Sequence, residues 1–165
     1  MKYLIHFALA GVAASTAMDR LAGYQLGTLL SSISDVGFLT HSLSGGETLK
    51  EACSSDGKTF LSLGDDPWSR GRLAYISLER VDDARCSGQS GVPTVSLATK
   101  EGLRVGDAAQ RVIALYGQPT STGNGEQGVV MRYKQGQTLG RSILLAITTK
   151  QDVVQRIALG LEPNP

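Results

Sequence analysis

The sequence predicts an α+β fold: two helix-plus-antiparallel-meander repeats forming a sheet with helices on one face. Three observations predict it. A short amphipathic segment with start and stop signals spans 107–117, three strand-like runs follow it, and a weaker copy of the same order lies 79 positions upstream (102 minus 23). At 165 residues the chain is long enough to bury a core without a metal. Its 16 Lys and Arg and 15 Asp and Glu are scattered, so no basic stripe points to nucleic acid.

Residues 1–17 read as a signal peptide. Lys2 is the positive start, Tyr3 to Val12 is mostly apolar, and Ala13-Ala14-Ser15-Thr16-Ala17 supplies small residues for cleavage between Ser15 and Met18. The run is shorter than the roughly 20 apolar residues that a spanning helix needs, so no membrane span is expected. Leu21-Ala22-Gly23 is followed by Tyr24, not by the cysteine that a lipid anchor requires.

Residues 18–90 form the first, weaker repeat. Gly23-Tyr24-Gln25-Leu26-Gly27-Thr28 matches Gly102-Leu103-Arg104-Val105-Gly106-Asp107, Ile33 aligns with Val112, and a helix is expected to end at Gly37. Strands are expected over Thr59 to Leu63, Arg72 to Leu78 and Ala84 to Ser87. Cys53 and Cys86 are the only cysteines, and an exported chain would join them, closing a loop of 33 positions (86 minus 53). Gly88 to Pro93 reads as the connection to the second repeat, 91–165.

In that second repeat Asp107 is the expected helix N-cap, with Gln110 as its capping-box partner. Ala109, Val112, Ile113 and Tyr116 fall on one face, Gly117 stops the helix, and Pro119 prevents continuation. Strands follow at Val129 to Lys134, Ser142 to Thr149 and Val153 to Leu159, the last two joined by Lys150-Gln151-Asp152. One helix covers only one face of such a meander, which leaves the other face free.

The string Gly-Leu-Arg-Val-Gly-Asp, the helix ending Leu115-Tyr116-Gly117-Gln118-Pro119 and the three strands resemble the small outer-membrane assembly lipoprotein family, the BamE/SmpA type. In tandem they are similar to the secreted β-lactamase inhibitory proteins. The resemblance implies a non-catalytic binding or envelope-assembly role in the periplasm or outside the cell, or inhibition of a secreted enzyme through a hairpin loop and an aromatic-lined sheet. The chain departs from the lipoproteins in lacking the lipidated cysteine, and from the inhibitors in having no cysteine in its second repeat.

The loop Gly64-Asp65-Asp66-Pro67-Trp68-Ser69 supplies the candidate partner-binding residues Asp65, Asp66 and Trp68, with Arg70 beside them and Tyr75 and Tyr133 as candidates to line the sheet. No catalytic set is legible. His41 has no neighbouring acid or cysteine, and the carboxylate pairs Asp65-Asp66 and Asp82-Asp83 read as turns, a hydrolase built on them being the alternative. No metal or other cofactor is expected. Gly123-Asn124-Gly125-Glu126-Gln127-Gly128 matches a nucleotide-binding string in the wrong context and reads as a flexible loop. Ala52 to Thr59 reads as a turn, not a phosphate loop.

Overall fold

The computed structural model describes residues 18–81, 84–86, 91 and 97–162. Strands β1 (Arg20–Leu21) and β2 (Tyr24–Gln25) pair as a small hairpin. The remaining strands are β3 (Leu39–Ser42), β4 (Thr48–Cys53), β5 (Thr59–Gly64), β6 (Tyr75–Arg80), β7 (Ser121–Gly125), β8 (Gly128–Thr138), β9 (Arg141–Lys150) and β10 (Val153–Leu161). They form one antiparallel sheet of eight strands in the order β3-β4-β5-β6-β10-β9-β8-β7. Two four-stranded meanders thus meet at the β6–β10 ladder. There Ile157 faces Leu78, 79 positions apart (157 minus 78).

This is a mostly-β fold, and it corrects the expected α+β class. Among the described residues α1 (Ala109–Tyr116) is the only helix longer than a single turn, and the first meander carries only the 3-10 turn Leu30–Ser32 where a helix was expected. The local chemistry explains the difference. In Leu30-Ser31-Ser32-Ile33-Ser34-Asp35 the hydroxyls compete for the backbone, Ser32 Oγ donating to Leu29 O (2.7 Å) and Ser34 Oγ accepting from Val36 N (3.2 Å). The α1 segment, Ala-Gln-Arg-Val-Ile-Ala-Leu-Tyr, has no such competitor.

The α1 entry is also one residue later than expected. Ala108 occupies the cap without a side-chain bond, and Asp107 instead accepts from Arg104 N (2.9 Å) and pairs with Arg111 (3.4 Å). The exposed helix N–H of Ala109 is satisfied by Asp152 O (2.8 Å). Gly117 ends the helix at φ 71°, as its position demands.

Three further local expectations are corrected. Ala84–Cys86 is a 3-10 turn, not a strand. The string Gly123 to Gly128 is no loop: it is the end of edge strand β7, the two-residue turn Glu126-Gln127 and the start of β8. In Ala52 to Thr59, Ala52 and Cys53 belong to β4, and the turn begins only after them. The strands β3 and β4 were not anticipated. The segment 1–17, Asp82-Asp83 and most of the 88–93 connection lie outside the described residues. No described helix is long and apolar enough to cross a membrane.

The core lies on one side of the sheet. Leu61, Leu63, Ile76, Leu78, Ile143, Leu145, Ile147, Ile157 and Leu159 point there, beneath Leu21, Leu26, Leu30, Leu103 and Val112 from the covering segments. The covering segments are fastened by the bridges Leu21–Thr99 and Leu29–Arg72, and Ala108–Val153 ties the start of α1 to β10.

Candidate functional site

Because side chains alternate along a strand, the residues between those core positions define the opposite face. The ladder registers align them in rows that run across the strands. One row is Ser121, Arg132, Ala146, Ala158, Ser77, Ser62, Glu51 and Leu39. On one side lies the row Lys134, Leu144, Gly160, Tyr75, Gly64, Leu49 and His41. On the other lies the row Val130, Thr148, Arg156, Glu79, Phe60 and Cys53. The middle row carries small side chains from β5 to β9, flanked by Leu144 and Tyr75, with Gly160 and Gly64 beside them, on one side and by Arg156, Glu79 and Phe60 on the other, so the face is hollowed between them.

In the β6–β10–β9 part this relief becomes a groove of about 550 Å³, lined among others by Tyr75, Leu144, Ala146, Arg156, Ala158 and Gly160, all half-buried. The Tyr75 ring lies over Gly64, where a Cβ would fall only 2.1 Å from the ring. Burial of Tyr75, with Glu51 nearby, raises its pKa above the ordinary tyrosine value. At the β4–β5 end the face is capped by the turn Ala84–Cys86, held by the Cys53–Cys86 disulfide, with the Arg85 guanidinium 5.2 Å from the Phe60 ring centroid. Such a bond forms and persists in oxidising compartments outside the cytoplasm.

Arg156 stands out in the groove. Its Nε is buried and has no hydrogen-bond partner among the described residues. Leaving a buried donor unmet costs on the order of 1–3 kcal/mol, more for a charged group. Glu79 is its cross-strand neighbour but pairs with Arg85 (3.9 Å), and His41 lies 3.4 Å from Glu51.

The residues singled out in the sequence are distributed over both faces and one end of the sheet. Tyr75 is in the groove. Tyr133 is on the other side: it is 4% exposed, packs at a tilt against Tyr116 (5.6 Å between centroids) and donates to Gly117 O (3.2 Å). It cannot line the open face, which corrects that expectation. Asp65 is buried and accepts from Thr48 N. Asp66 accepts from Ser69 N (2.8 Å) and Trp68 N (3.2 Å) and pairs with Arg141 (2.6 Å). Arg141, 5% exposed, also donates to Glu162 O (2.8 Å) and Leu161 O (3.1 Å), tying the loop to the end of β10. Trp68 is 60% exposed with the Arg141 guanidinium 5.9 Å from its ring centroid, and the exposed Arg70 sits at φ 53°.

Sequence reasoning missed Leu144, Ala158, Arg132 and Arg156. The alternation in β8 and β9 carries the signal for Arg132 and Leu144. For Arg156 and Ala158 it is obscured, because a bulge between Val154 and Arg156 breaks the phase of β10. Among the described residues no group of three or more His, Cys, Asp and Glu side chains is placed to hold a metal ion. No protein-family model, curated protein or solved structure matches the chain.

Proposed function

We propose that this chain is an exported binding module, periplasmic or secreted, that takes a segment of a protein partner on the open face of its sheet. The observation that carries the reading is the groove between Tyr75, Leu144 and Arg156, an apolar trough with one unsatisfied polar group, which is the usual make-up of a binding surface. The disulfide supports the extracytoplasmic setting. The shared offset of 79 at Gly23 and Gly102 and at Leu78 and Ile157 supports descent of residues 18–90 and 91–165 from one duplicated meander. A photo-crosslinking residue at Leu144 is expected to give a discrete adduct in the producing cells, while one at Gln110 on the helix is not. Adducts from Gln110 alone would contradict the reading.

A second reading is a secreted enzyme inhibitor in which the Trp68 loop enters an active site. The exposure of Trp68 on a loop braced by Asp66 and Arg141 favours it, since a large side chain held in place loses little entropy on docking. Slowed hydrolysis of a chromogenic β-lactam by at least one lactamase, lost in Trp68→Ala, is the expected result; undiminished hydrolysis across the lactamase classes removes the reading.

A further inference from the structure

Among the described residues the buried side-chain polar atom left without a hydrogen-bond partner is the Nε of Arg156, on the open face. Glu51 and Glu79, in the β3–β6 half, have His41 and Arg85 beside them, and Glu162 lines the groove just past the end of β10, six residues along the chain from Arg156 (162 minus 156). In the β8–β10 half, neither Arg132 nor Arg156 forms an ion pair or a side-chain hydrogen bond among the described residues. The two flank β9, Arg132 opposite Ala146 and Arg156 opposite Thr148, so their backbones stand about 10 Å apart across the strands and about 7 Å along them. Arg132 leans toward β7, its Nη1 3.2 Å from the point where a Cβ on Gly123 would stand. Glu126, in the β7–β8 turn, lines the same end of the trough as Arg156 but forms no ion pair with it among the described residues.

From this we infer that the partner segment is acidic: an extended stretch whose Asp or Glu carboxylate meets Arg156, with an adjacent apolar side chain seated against Tyr75 and Leu144. The inference rests on the open-face reading above and adds the chemistry of the occupant. Its two halves match the two halves of the groove. The part between Leu144, Ala158 and Tyr75 offers an apolar seat, and a carboxylate supplies the acceptor that the buried Nε of Arg156 lacks. Arg132 extends the positive field toward the β7 edge and favours a second acid further along the segment. A basic segment, or a second copy of this face presenting its own arginines, leaves that Nε unanswered.

The test is a selection of random twelve-residue peptides displayed on phage, run in parallel on the disulfide-bonded protein and on its Arg156→Gln, Arg132→Gln and Leu144→Glu variants, each first shown to melt cooperatively. The protein is expected to enrich peptides with Asp or Glu next to an apolar residue. A fluorescein-labelled copy of the most enriched peptide should bind Arg156→Gln about 30-fold or more weakly and Arg132→Gln less weakly than that. Replacing its acidic residue by the amide should weaken binding to the parent protein while changing little in Arg156→Gln. Peptides that are enriched on the parent and lost in Leu144→Glu, but that show no acidic preference, overturn the inference and leave the open-face reading standing. Peptides enriched equally on Leu144→Glu, or no enrichment at all, overturn both. Binding of phosphatidylglycerol vesicles through Arg156 in the absence of any enriched peptide also overturns it, by assigning the arginines to lipid.

Discussion

Two residues show how closely the open face and the loop beside it are specified. Gly64 is required because the Tyr75 ring occupies the space where a Cβ would stand. Gly64→Ala is therefore expected to force Tyr75 from its seat and to destabilise the fold by about 1–3 kcal/mol, the usual cost of overpacking, as read by urea unfolding. Tyr75→Ala in the same background should recover most of the loss, since it removes the clash. Arg141 is the second case: a buried guanidinium shared among Asp66 and the carbonyls of Leu161 and Glu162. Arg141→Gln leaves Asp66 without its partner, and a loss of about 3 kcal/mol is expected, with Trp68 fluorescence altered because its cationic neighbour is gone. Unchanged stability in Arg141→Gln would show that the loop is not tied to β10 in this way. The acids Asp65 and Asp66 were legible as turn residues, and their actual partners, Thr48 N–H and Arg141, lie too far along the chain for a local pattern to reveal.

At the level of elements, β8 and β9 were readable because they are long and alternate, and α1 because its stop signal is Gly117 with Pro119 two residues on. Strands β3, β4 and β7 were obscure for physical reasons. In β4, Thr-Leu-Lys-Glu-Ala-Cys places Lys50 on the core side, where it is 4% exposed and bonds Ile33 O (2.6 Å) and Asp35 (2.7 Å). A lysine at a core position defeats a pattern built on apolar alternation. In β7, Ser-Thr-Gly-Asn-Gly has the composition of a loop, and only its pairing with β8 makes it a strand. The joint between α1 and the sheet also sets a pH limit. Burial, with lesser contributions from neighbours including Glu101, pushes the Tyr116 hydroxyl well above the ordinary tyrosine value; the hydroxyl donates to Glu101 Oε2 (2.9 Å) and lies 2.7 Å from Thr99 Oγ1. A raised pKa in the folded state means that this contribution is complete below the unfolded tyrosine value of about 10 and is lost as pH rises beyond it. Alkaline titration followed at 295 nm is expected to show late tyrosine ionisation coincident with loss of ellipticity. Tyr116→Phe should make unfolding above pH 10 less steep, and an unaltered profile would exclude this role.

For the whole molecule the determining feature is that one face of an eight-stranded sheet carries the core and the other is troughed and half-exposed. The sequence pointed to an uncovered face and to a disulfide between Cys53 and Cys86. It did not reveal that the two meanders share one continuous sheet, because the β6–β10 ladder joins residues nearly 80 positions apart. The disulfide spans 33 positions and fastens the turn over Phe60. By loop entropy its removal in the Cys53→Ala, Cys86→Ala double variant is expected to lower stability by about 3–4 kcal/mol in urea. A cost near zero would mean that the reduced chain is already held by the Phe60, Val81 and Arg85 contacts.

The central claim is the openness of the face carried by β8 to β10, and cysteine scanning along β9 tests it most directly, since the described native cysteines are joined in a disulfide. Single cysteines at Ser142, Leu144 and Ala146 are expected to react with a bulky maleimide in the folded protein, and those at Ile143, Leu145 and Ile147 only after unfolding. Protection at all six positions would mean that the face is covered and would contradict the account.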